Sequence, residues 1–164
     1  LQLRYARLYT GFEEVDINAL VEDALQMLKE SISNRKIIVN KQLDNIPPAI
    51  IEKGKMMQIV INLIKNAYEA MEDRDRQIRI LRIGTSVELD YVILSVKDTG
   101  EGFSKEEKNE LFNFGYTTKE LGSGFGLHSC ANYLIANHGK IEALSEGKGK
   151  GAEFIVKVPT RREA

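Results

Sequence analysis

DTGEGFSKEEKNELFNFGYTTKELGSGFGL, residues 98–127, holds the acidic and glycine residues around which the rest of the chain is organised. It follows an alternating run, Tyr91 to Lys97, that predicts a strand with Asp98 at its end. Glycines at positions 100 and 102 indicate a tight turn whose backbone can approach a flat ligand closely. The stretch closes on Gly122-Ser-Gly-Phe-Gly126 before an amphipathic run, and glycines that open a helix present N–H groups and a positive dipole end to phosphates. A carboxylate at one end and an anion-binding loop at the other predict a nucleotide between them.

Between the two glycine clusters the pattern predicts one short helix and one loop. Ser104 and Glu107 fit the capping box S-x-x-E and predict a helix that runs through Leu111. The segment from Phe114 to Leu121 follows neither the helical nor the strand period, which predicts a mobile loop.

The remaining elements are predicted from their periodicity. Asp16 or Asn18 can cap a helix that runs to about Ser33, with a buried stripe spaced four residues apart. That stripe consists of Leu20, Ala24, Leu28 and Ile32. Further helices are predicted over 55–71 and 127–137, the latter ending at Gly139 with His138 as a capping residue. Strands are predicted over 37–43, 50–51, 77–87, 91–97, 140–146 and 152–158.

The order of these elements predicts the fold class. Two pairs of consecutive strands, one joined by Glu88-Leu89-Asp90 and the other by Gly147–Gly151, imply antiparallel hairpins. Hairpins separated by helices indicate an α+β fold, a two-layer α/β sandwich with a mixed, mostly antiparallel sheet and helices on one face.

The predicted helix over 55–71 carries two separate faces. Met56, Val60, Leu63, Ala67 and Met71 form an apolar stripe and are assigned to the core. Asn62, Asn66 and Glu69 share another face. Asparagine is a poor helix former, so the pair is either part of a solvated face or a set of amide oxygens for a hard cation. Spacing alone favours the solvated face.

Composition restricts the function classes. A chain of 164 residues suits one domain that buries about 70% of its unfolded surface, and 43% apolar with 29% charged residues is typical of a globular protein. A net charge of −1 gives no electrostatic footprint for nucleic acid. No apolar run reaches the length of a membrane span, so no direct membrane contact is predicted. The single cysteine, Cys130, cannot form an internal disulfide, which predicts a reducing, cytoplasmic setting.

Several common enzyme motifs are missing. There is no P-loop, G-S-G-F-G does not match G-x-G-x-x-G, and neither the protein-kinase signatures nor G-x-S-x-G is present. His128 and His138 are ten residues apart and do not form a metal-binding pair.

Four motifs of the chain resemble boxes of the GHKL ATPase family, in the family's order. They are Asn62-Leu-Ile-Lys-Asn66-Ala, Asp98-Thr-Gly100-Glu-Gly102-Phe, Phe112-x-Phe114 and Gly122-x-Gly124-x-Gly126-Leu127, with a looser match at Gly149-Lys-Gly151-Ala-Glu-Phe154. Within the family, the chain is most similar to the catalytic ATP-binding (HATPase_c) domain of sensor histidine kinases. The resemblance covers about residues 16–159 and implies the Bergerat-type sandwich with an ATP lid.

The resemblance implies a role for each site residue. Asn66 would ligate the magnesium (Mg²⁺) that bridges the phosphates, with Asn62 beside it as a catalytic residue. Asp98 would accept a hydrogen bond from the adenine amine of ATP, next to Gly100 and Gly102. The remaining implied nucleotide-binding residues are Phe112, the phosphate-cradling Gly122, Gly124, Gly126 and Leu127, and the lid residues Thr117, Thr118 and Lys119, the last of these catalytic.

The resemblance also implies the domain organisation and the partners. Residues 1–15 would be the end of an upstream helix or linker, 16–160 the ATP-binding domain and 161–164 a tail. No histidine followed by an acidic residue precedes Asp16, so the phosphoryl acceptor would lie on a dimerisation domain elsewhere in the parent protein. A response regulator receiver domain is the other implied partner.

Two alternatives stay open from the sequence. An ATP-dependent switch module would hydrolyse ATP, as the gyrase and mismatch-repair branches do with a glutamate four residues before the metal-binding asparagine. That position is Asn62 here, which is not a general base and favours transfer over hydrolysis. An anti-sigma-type serine kinase is the second alternative.

Ala152 departs from the family by replacing a frequent threonine, so a hydroxyl contact to the adenine site is lost there.

Overall fold

A computed structural model of the chain describes residues 11–73, 75, 78–113 and 125–161. The strands are β1 (Glu13–Val15), β2 (Ile38–Leu43), β3 (Ala49–Ile51), β4 (Ile80–Glu88), β5 (Tyr91–Asp98), β6 (Lys140–Leu144) and β7 (Ala152–Pro159). The helices are α1 (Ile17–Met27), α2 (Lys29–Asn34), α3 (Lys53–Ala70), α4 (Lys105–Lys108) and α5 (Phe125–Ala136).

The main sheet has five strands in the order β2-β4-β5-β7-β6. β2 pairs with β4 in parallel, and the other neighbours pair antiparallel. β1 and β3 form a separate antiparallel pair. The predicted α+β fold with a mixed, mostly antiparallel sheet is therefore confirmed.

One face of the sheet packs against the helices because its strands alternate. Along β5, Val92, Leu94, Val96 and Asp98 are buried, whereas the residues between them are more exposed. The apolar residues of this face belong to one core cluster with the apolar stripe predicted for α3 (Met56, Val60, Leu63, Ala67 and Met71), every member of which is buried. The α3 stripe is thus confirmed as core.

The first predicted helix starts as expected but is divided. The Asp16 carboxylate caps α1 by accepting hydrogen bonds from the amides of Asn18 and Ala19. The single helix predicted to reach Ser33 is wrong, because Leu28 leaves helical dihedral angles (φ −101°, ψ 9°) and separates α1 from α2. Helical hydrogen bonds still run from Leu28 N to Ala24 O and from Ile32 N to Leu28 O, so the four-residue stripe continues across the break.

Two other predicted boundaries differ from the structure. Glu13–Val15, assigned to the upstream linker, form β1 because they pair with β3. The capping box of Ser104 and Glu107 is present, but α4 ends at Lys108 instead of Leu111. Beyond it the backbone bonds shorten to i→i−3, as between Glu110 N and Glu107 O.

The end of α5 is set by His138, the residue before Gly139. His138 has φ +66° and its N–H bonds Ile135 O, while Gly139 N bonds Leu134 O at 2.7 Å. This is the Schellman arrangement with His138 in the left-handed position, so His138 is confirmed as the capping residue. Gly139 is needed for packing instead, since a Cβ there would lie 2.7 Å from Lys157 O in β7.

Among the described residues, no helix combines the length and apolar character that crossing a membrane would require.

The β4–β5 hairpin turn gives a first testable prediction. The turn comprises Leu89 and Asp90, because Glu88 still pairs with Tyr91. Leu89 has φ +54° and is 89% exposed, so its side chain strains the backbone without burying surface. Leu89→Gly is expected to raise the free energy of unfolding by roughly 0.5–1 kcal/mol, because glycine adopts positive φ without steric cost. Urea titration measures the difference. Leu89→Ala is the control, since it trims the exposed side chain but keeps the Cβ, and an equal gain from alanine would contradict the backbone explanation.

Candidate functional site

Asp98 is the buried carboxylate at the end of β5. Its side chain lies on the core face and the residue is 3% exposed. One carboxylate oxygen accepts a hydrogen bond from Gly100 N at 2.7 Å. Ala152 in β7 is its cross-strand partner, so the position where a threonine hydroxyl is missing lies directly beside Asp98. A carboxylate this deeply buried requires polar partners, and Gly100 N is one of them.

Gly100 connects the turn after Asp98 to the end of α3. A Cβ at Gly100 would overlap the carbonyl group of Ala70, the last residue of α3. Glu101 N donates a hydrogen bond to Ala70 O at 2.9 Å. Gly100, for which the sequence predicted close approach to a ligand, is therefore required for close backbone packing. This packing holds the Asp98 turn against α3.

The first glycine cluster also packs against the loop between β6 and β7. Gly102 (φ +62°) faces Gly147 O, and Gly151 (φ +73°) faces Asp98 O, each so closely that a Cβ would overlap the oxygen. Two hydrogen bonds join the segments, Gly151 N to Gly100 O at 3.0 Å and Gly149 N to Glu101 O at 2.6 Å. The looser glycine motif at 149–151 is thus part of the structural support of Asp98.

Asn62 lies between α3 and the beginning of α5. Its Nδ2 is 3.7 Å from Cys130 Sγ, and a Cβ at Gly126 would come within 3.3 Å of the Asn62 amide. Gly126 therefore allows the first turn of α5 to approach α3. Burial raises the pKa of the Cys130 thiol above its usual value, and the hydrogen bond from Asn62 opposes that shift. Cys130 remains a small core residue here.

Asn66 is one turn further along α3 and is half-buried. Within the described part of the chain, its side chain makes no hydrogen bond, although Asn62 on the same face does. The predicted pair of asparagines is thus only partly a solvated face. Along α3, Asn62 contacts α5 and Ala70 contacts the Asp98 turn. These two residues are about 12 Å apart along the helix axis, at 1.5 Å per residue.

Phe112 is joined to both layers of the fold. Its ring packs edge-on against Phe154 of β7, with centroids 6.5 Å apart. Its carbonyl oxygen accepts a hydrogen bond from His128 Nδ1 at 3.0 Å, and His128 Nε2 lies 3.0 Å from Asn132 Nδ2. His128 therefore ties α5 to the segment after α4, a role that spacing alone did not indicate.

Tyr133 makes a second connection between α5 and α3. Its hydroxyl donates to Glu52 Oε1 at 3.2 Å and lies 3.3 Å from the donor Glu52 N at the start of α3. Burial is the main cause that raises the pKa of Tyr133 to about 12. The tyrosine therefore stays protonated and holds the far end of α5 in place.

The predicted site residues divide into two groups. Those that the structure describes are Asn62, Asn66, Asp98, Gly100, Gly102, Phe112, Gly126 and the half-buried Leu127. Thr117, Thr118, Lys119, Gly122 and Gly124, with the loop predicted around them, lie outside the described residues. The described group is brought together by α3, which contacts the Asp98 turn at its end and α5 near its middle.

Ser145 is the residue of this region that the sequence reasoning missed. Its hydroxyl lies within hydrogen-bonding distance of Phe103 N, Gly147 N and Gly151 O. A serine two residues before the first glycine of a loop gives no signal of its own, although its position before Gly147-Lys-Gly-Lys-Gly151 could have directed attention to it.

A family model and several relatives match this chain. The model described as "Histidine kinase-, DNA gyrase B-, and HSP90-like ATPase" matches residues 52–162. Sporulation kinase E of Bacillus subtilis (strain 168) is 30% identical over 154 residues, which cover 93% of this chain and 20% of that protein. The sensor histidine kinase TmoS of Ectopseudomonas mendocina is 36% identical over 148 residues, covering 88% of this chain and 15% of TmoS. The chain thus spans a fifth or less of the length of these two relatives.

Solved structures agree with the sequence matches. The catalytic domain of histidine kinase ThkA, in a nucleotide-free form, superposes with a TM-score of 0.80 at 26% identity, covering 91% of this chain and 95% of that chain. ThkA in complex with the response regulator protein TrrA superposes with a TM-score of 0.77 at 23% identity, covering 98% of this chain and 49% of that one. The chain therefore belongs to the family of histidine kinase-, DNA gyrase B- and HSP90-like ATPases, and within that family it is the catalytic, ATP-binding domain of a two-component sensor histidine kinase.

Proposed function

We propose that the chain binds Mg·ATP along α3 and transfers the γ-phosphoryl group to a histidine on a dimerisation domain of its parent protein. The observation that carries the proposal is the placement of α3. Its end contacts the turn after the buried Asp98 carboxylate, and its middle contacts the first turn of α5 through Asn62 and Gly126. A nucleotide that bridges these two contacts would have a polar group for its base and a helix start for its phosphates.

Asp98 supports the adenine end of this proposal. Its carboxylate is held in place by Gly100 N and is largely excluded from water. A carboxylate accepts hydrogen bonds only, so it pairs with the exocyclic amine of adenine and disfavours the carbonyl that guanine has at that position. Asp98 would thus select ATP over GTP.

The start of α5 supports the phosphate end. Backbone N–H groups in the first turn of a helix have no partner within the helix and favour anions. Gly126 has no side chain there, and its backbone lies against Asn62. The N–H groups of α5 and the Asn62 side chain would orient the phosphate chain for reaction.

Asn66 fits a magnesium ion bound with the substrate. Its amide oxygen has no hydrogen-bond partner within the described residues, it is half-buried, and it lies one helical turn from Asn62. Mg²⁺ usually takes only one or two protein ligands, the remaining ones being phosphate oxygens and water. Bound magnesium would neutralise charge on the phosphates, and Asn66 would hold the substrate complex on α3.

Asn62 supports transfer instead of hydrolysis. Activation of water needs a general base, and an amide cannot accept a proton in this role. The Asn62 side chain also contacts Cys130 Sγ and lies close to Gly126. The site would therefore position ATP without activating water, as phosphoryl transfer to another group requires.

The two histidines of the chain support an acceptor located elsewhere. His128 contacts Phe112 O through Nδ1 and Asn132 through Nε2. His138 lies beyond the other end of α5, about 18 Å from Gly126 along the helix axis. The acceptor would instead be supplied by the dimerisation domain, and a response regulator receiver domain would take the phosphoryl group next. The complex of ThkA with TrrA supports a partner of that class.

Labelling with γ-³²P-ATP tests the transfer. The chain is incubated with and without the histidine-bearing dimerisation domain of its parent protein. We expect the chain alone to remain essentially unlabelled, and the dimerisation domain to acquire label that acid removes and alkali does not, as for phosphohistidine. Acid-stable label on a serine would contradict the proposal in favour of a serine kinase. Phosphate release that is as fast without the acceptor as with it would favour a hydrolytic switch.

A further inference from the structure

The Ser145 hydroxyl uses its full hydrogen-bonding capacity on the backbone. A serine hydroxyl has one donor and two acceptor positions. The short contact to Gly151 O at 2.6 Å assigns the donor, and the hydroxyl accepts from Phe103 N and Gly147 N, each at 3.2 Å. Ser145 thus joins three backbone segments directly after β6.

Two of these three contacts lie next to Asp98 in the structure. Gly151 precedes Ala152, the cross-strand partner of Asp98, and Phe103 follows Gly102. The segments are already pressed together, because a Cβ at Gly102 would lie 2.8 Å from Ser145 Oγ and from Gly151 O. The hydroxyl therefore occupies the point at which the turn after β5 and the loop before β7 meet.

An ion pair in the same region cannot replace this contact. Lys148 Nζ lies 2.8 Å from Glu107 Oε1, with the Lys148 side chain 60% exposed. Exposed ion pairs contribute little, because solvent screens them and long side chains lose entropy in forming them. Of the side-chain links that join the loop to the turn within the described residues, the half-buried hydroxyl of Ser145 is thus the one expected to contribute most.

We propose that Ser145 is a positioning residue for the adenine subsite. It does not contact the nucleotide; it sets the location of Asp98 through Gly151 and Phe103. The inference rests on the proposed function, in which Asp98 accepts from the adenine amine. Loss of the hydroxyl leaves two N–H groups and one carbonyl without their partner, and the turn shifts to recover hydrogen bonds. A hydrogen bond from adenine depends steeply on such a shift, whereas phosphate binding at α5 does not.

The test compares ATP with GTP binding by the purified chain. In Ser145→Ala, we expect the dissociation constant for ATP to rise about ten-fold, the equivalent of one or two lost hydrogen bonds. Binding of GTP is expected to change less than about two-fold, since GTP lacks the amine that Asp98 recognises, so the preference for ATP decreases. Ser145→Thr keeps the hydroxyl and is expected to restore that preference. If Ser145→Ala does not fold, Ser145→Cys, a weaker hydrogen-bonding group of similar size, is expected to give an intermediate loss.

Ser104→Ala is the matched control. It removes a serine hydroxyl that accepts from Glu107 N at 3.1 Å, in the same region but without contact to Gly151. Unchanged ATP affinity in folded Ser145→Ala, or equal weakening of ATP and GTP as a general loss of stability would give, overturns the inference. The Asp98→Asn variant shows whether such a result contradicts only the role of Ser145 or the proposed adenine site as well. If Asp98→Asn weakens ATP binding and Ser145→Ala does not, only the role of Ser145 is wrong, whereas if neither does, the adenine site itself is wrong.

Discussion

Asn66→Ala is expected to lower the rate of phosphoryl transfer to the histidine acceptor by about a hundred-fold or more, as loss of a group that stabilises the transition state typically does. The reason is that the Asn66 amide makes no hydrogen bond within the described residues and, in the proposed site, would hold the metal–phosphate complex. The measurement is the initial rate of acceptor labelling at saturating ATP and magnesium.

The stability of Asn66→Ala distinguishes a lost ligand from a damaged fold. Alanine is a better helix former than asparagine by a few tenths of a kcal/mol up to about 0.7 kcal/mol, so the free energy of unfolding is expected to stay equal or to rise. Lys65→Ala, at the exposed neighbouring position of the same helix, is the control and is expected to transfer at the parent rate. Transfer by Asn66→Ala within about three-fold of the parent would show that the metal assignment is wrong.

Asp98→Ala is expected to weaken ATP binding by about ten- to a hundred-fold, which corresponds to 1–3 kcal/mol for loss of a buried hydrogen-bond acceptor. Because we propose that this acceptor recognises the adenine amine, the variant is also expected to lose its preference for ATP over GTP. Calorimetric titration with both nucleotides measures the change, and the folded fraction is determined separately because the carboxylate also accepts from Gly100 N.

Glu101→Ala is the matched control for Asp98. Glu101 belongs to the same turn, is exposed, and contributes its backbone N–H and carbonyl to the bonds with Ala70 and Gly149, which alanine retains. Parent-like binding is expected. An Asp98→Ala variant that still distinguishes ATP from GTP would place the adenine recognition elsewhere.

Periodicity was sufficient for most of the elements, because it records which side of each helix or strand is buried. The alternation along β5 and the stripe on α3 depend on which side of each element faces the core, and a residue pattern records this directly. The division at Leu28 was not predictable in this way, since helical bonds on both sides preserve the four-residue spacing. Likewise, the capping box defined the start of α4 but contains nothing that defines its end.

In the candidate site, too, some features can be read from sequence motifs and others only from contacts in the folded chain. The residue types and order of the four boxes were enough to predict the family, whereas the roles of Asn62, Asn66 and Asp98 stay predictions. Their spacing alone favoured a solvated face for the two asparagines, because a sequence does not show which neighbour meets a helix. The approach of Gly126 to Asn62 in the folded chain supplies that neighbour.

What the sequence determined by itself is therefore the α+β fold, the family and the acidic and glycine motifs, all of which are encoded in short, contiguous patterns. Only the tertiary structure decided how these motifs support one another. Gly100 packs on Ala70, Gly102 packs on Gly147, and Gly151 packs on Asp98. These contacts join residues 30 to about 50 positions apart through backbone atoms, which every residue type carries, so no side-chain pattern could reveal them.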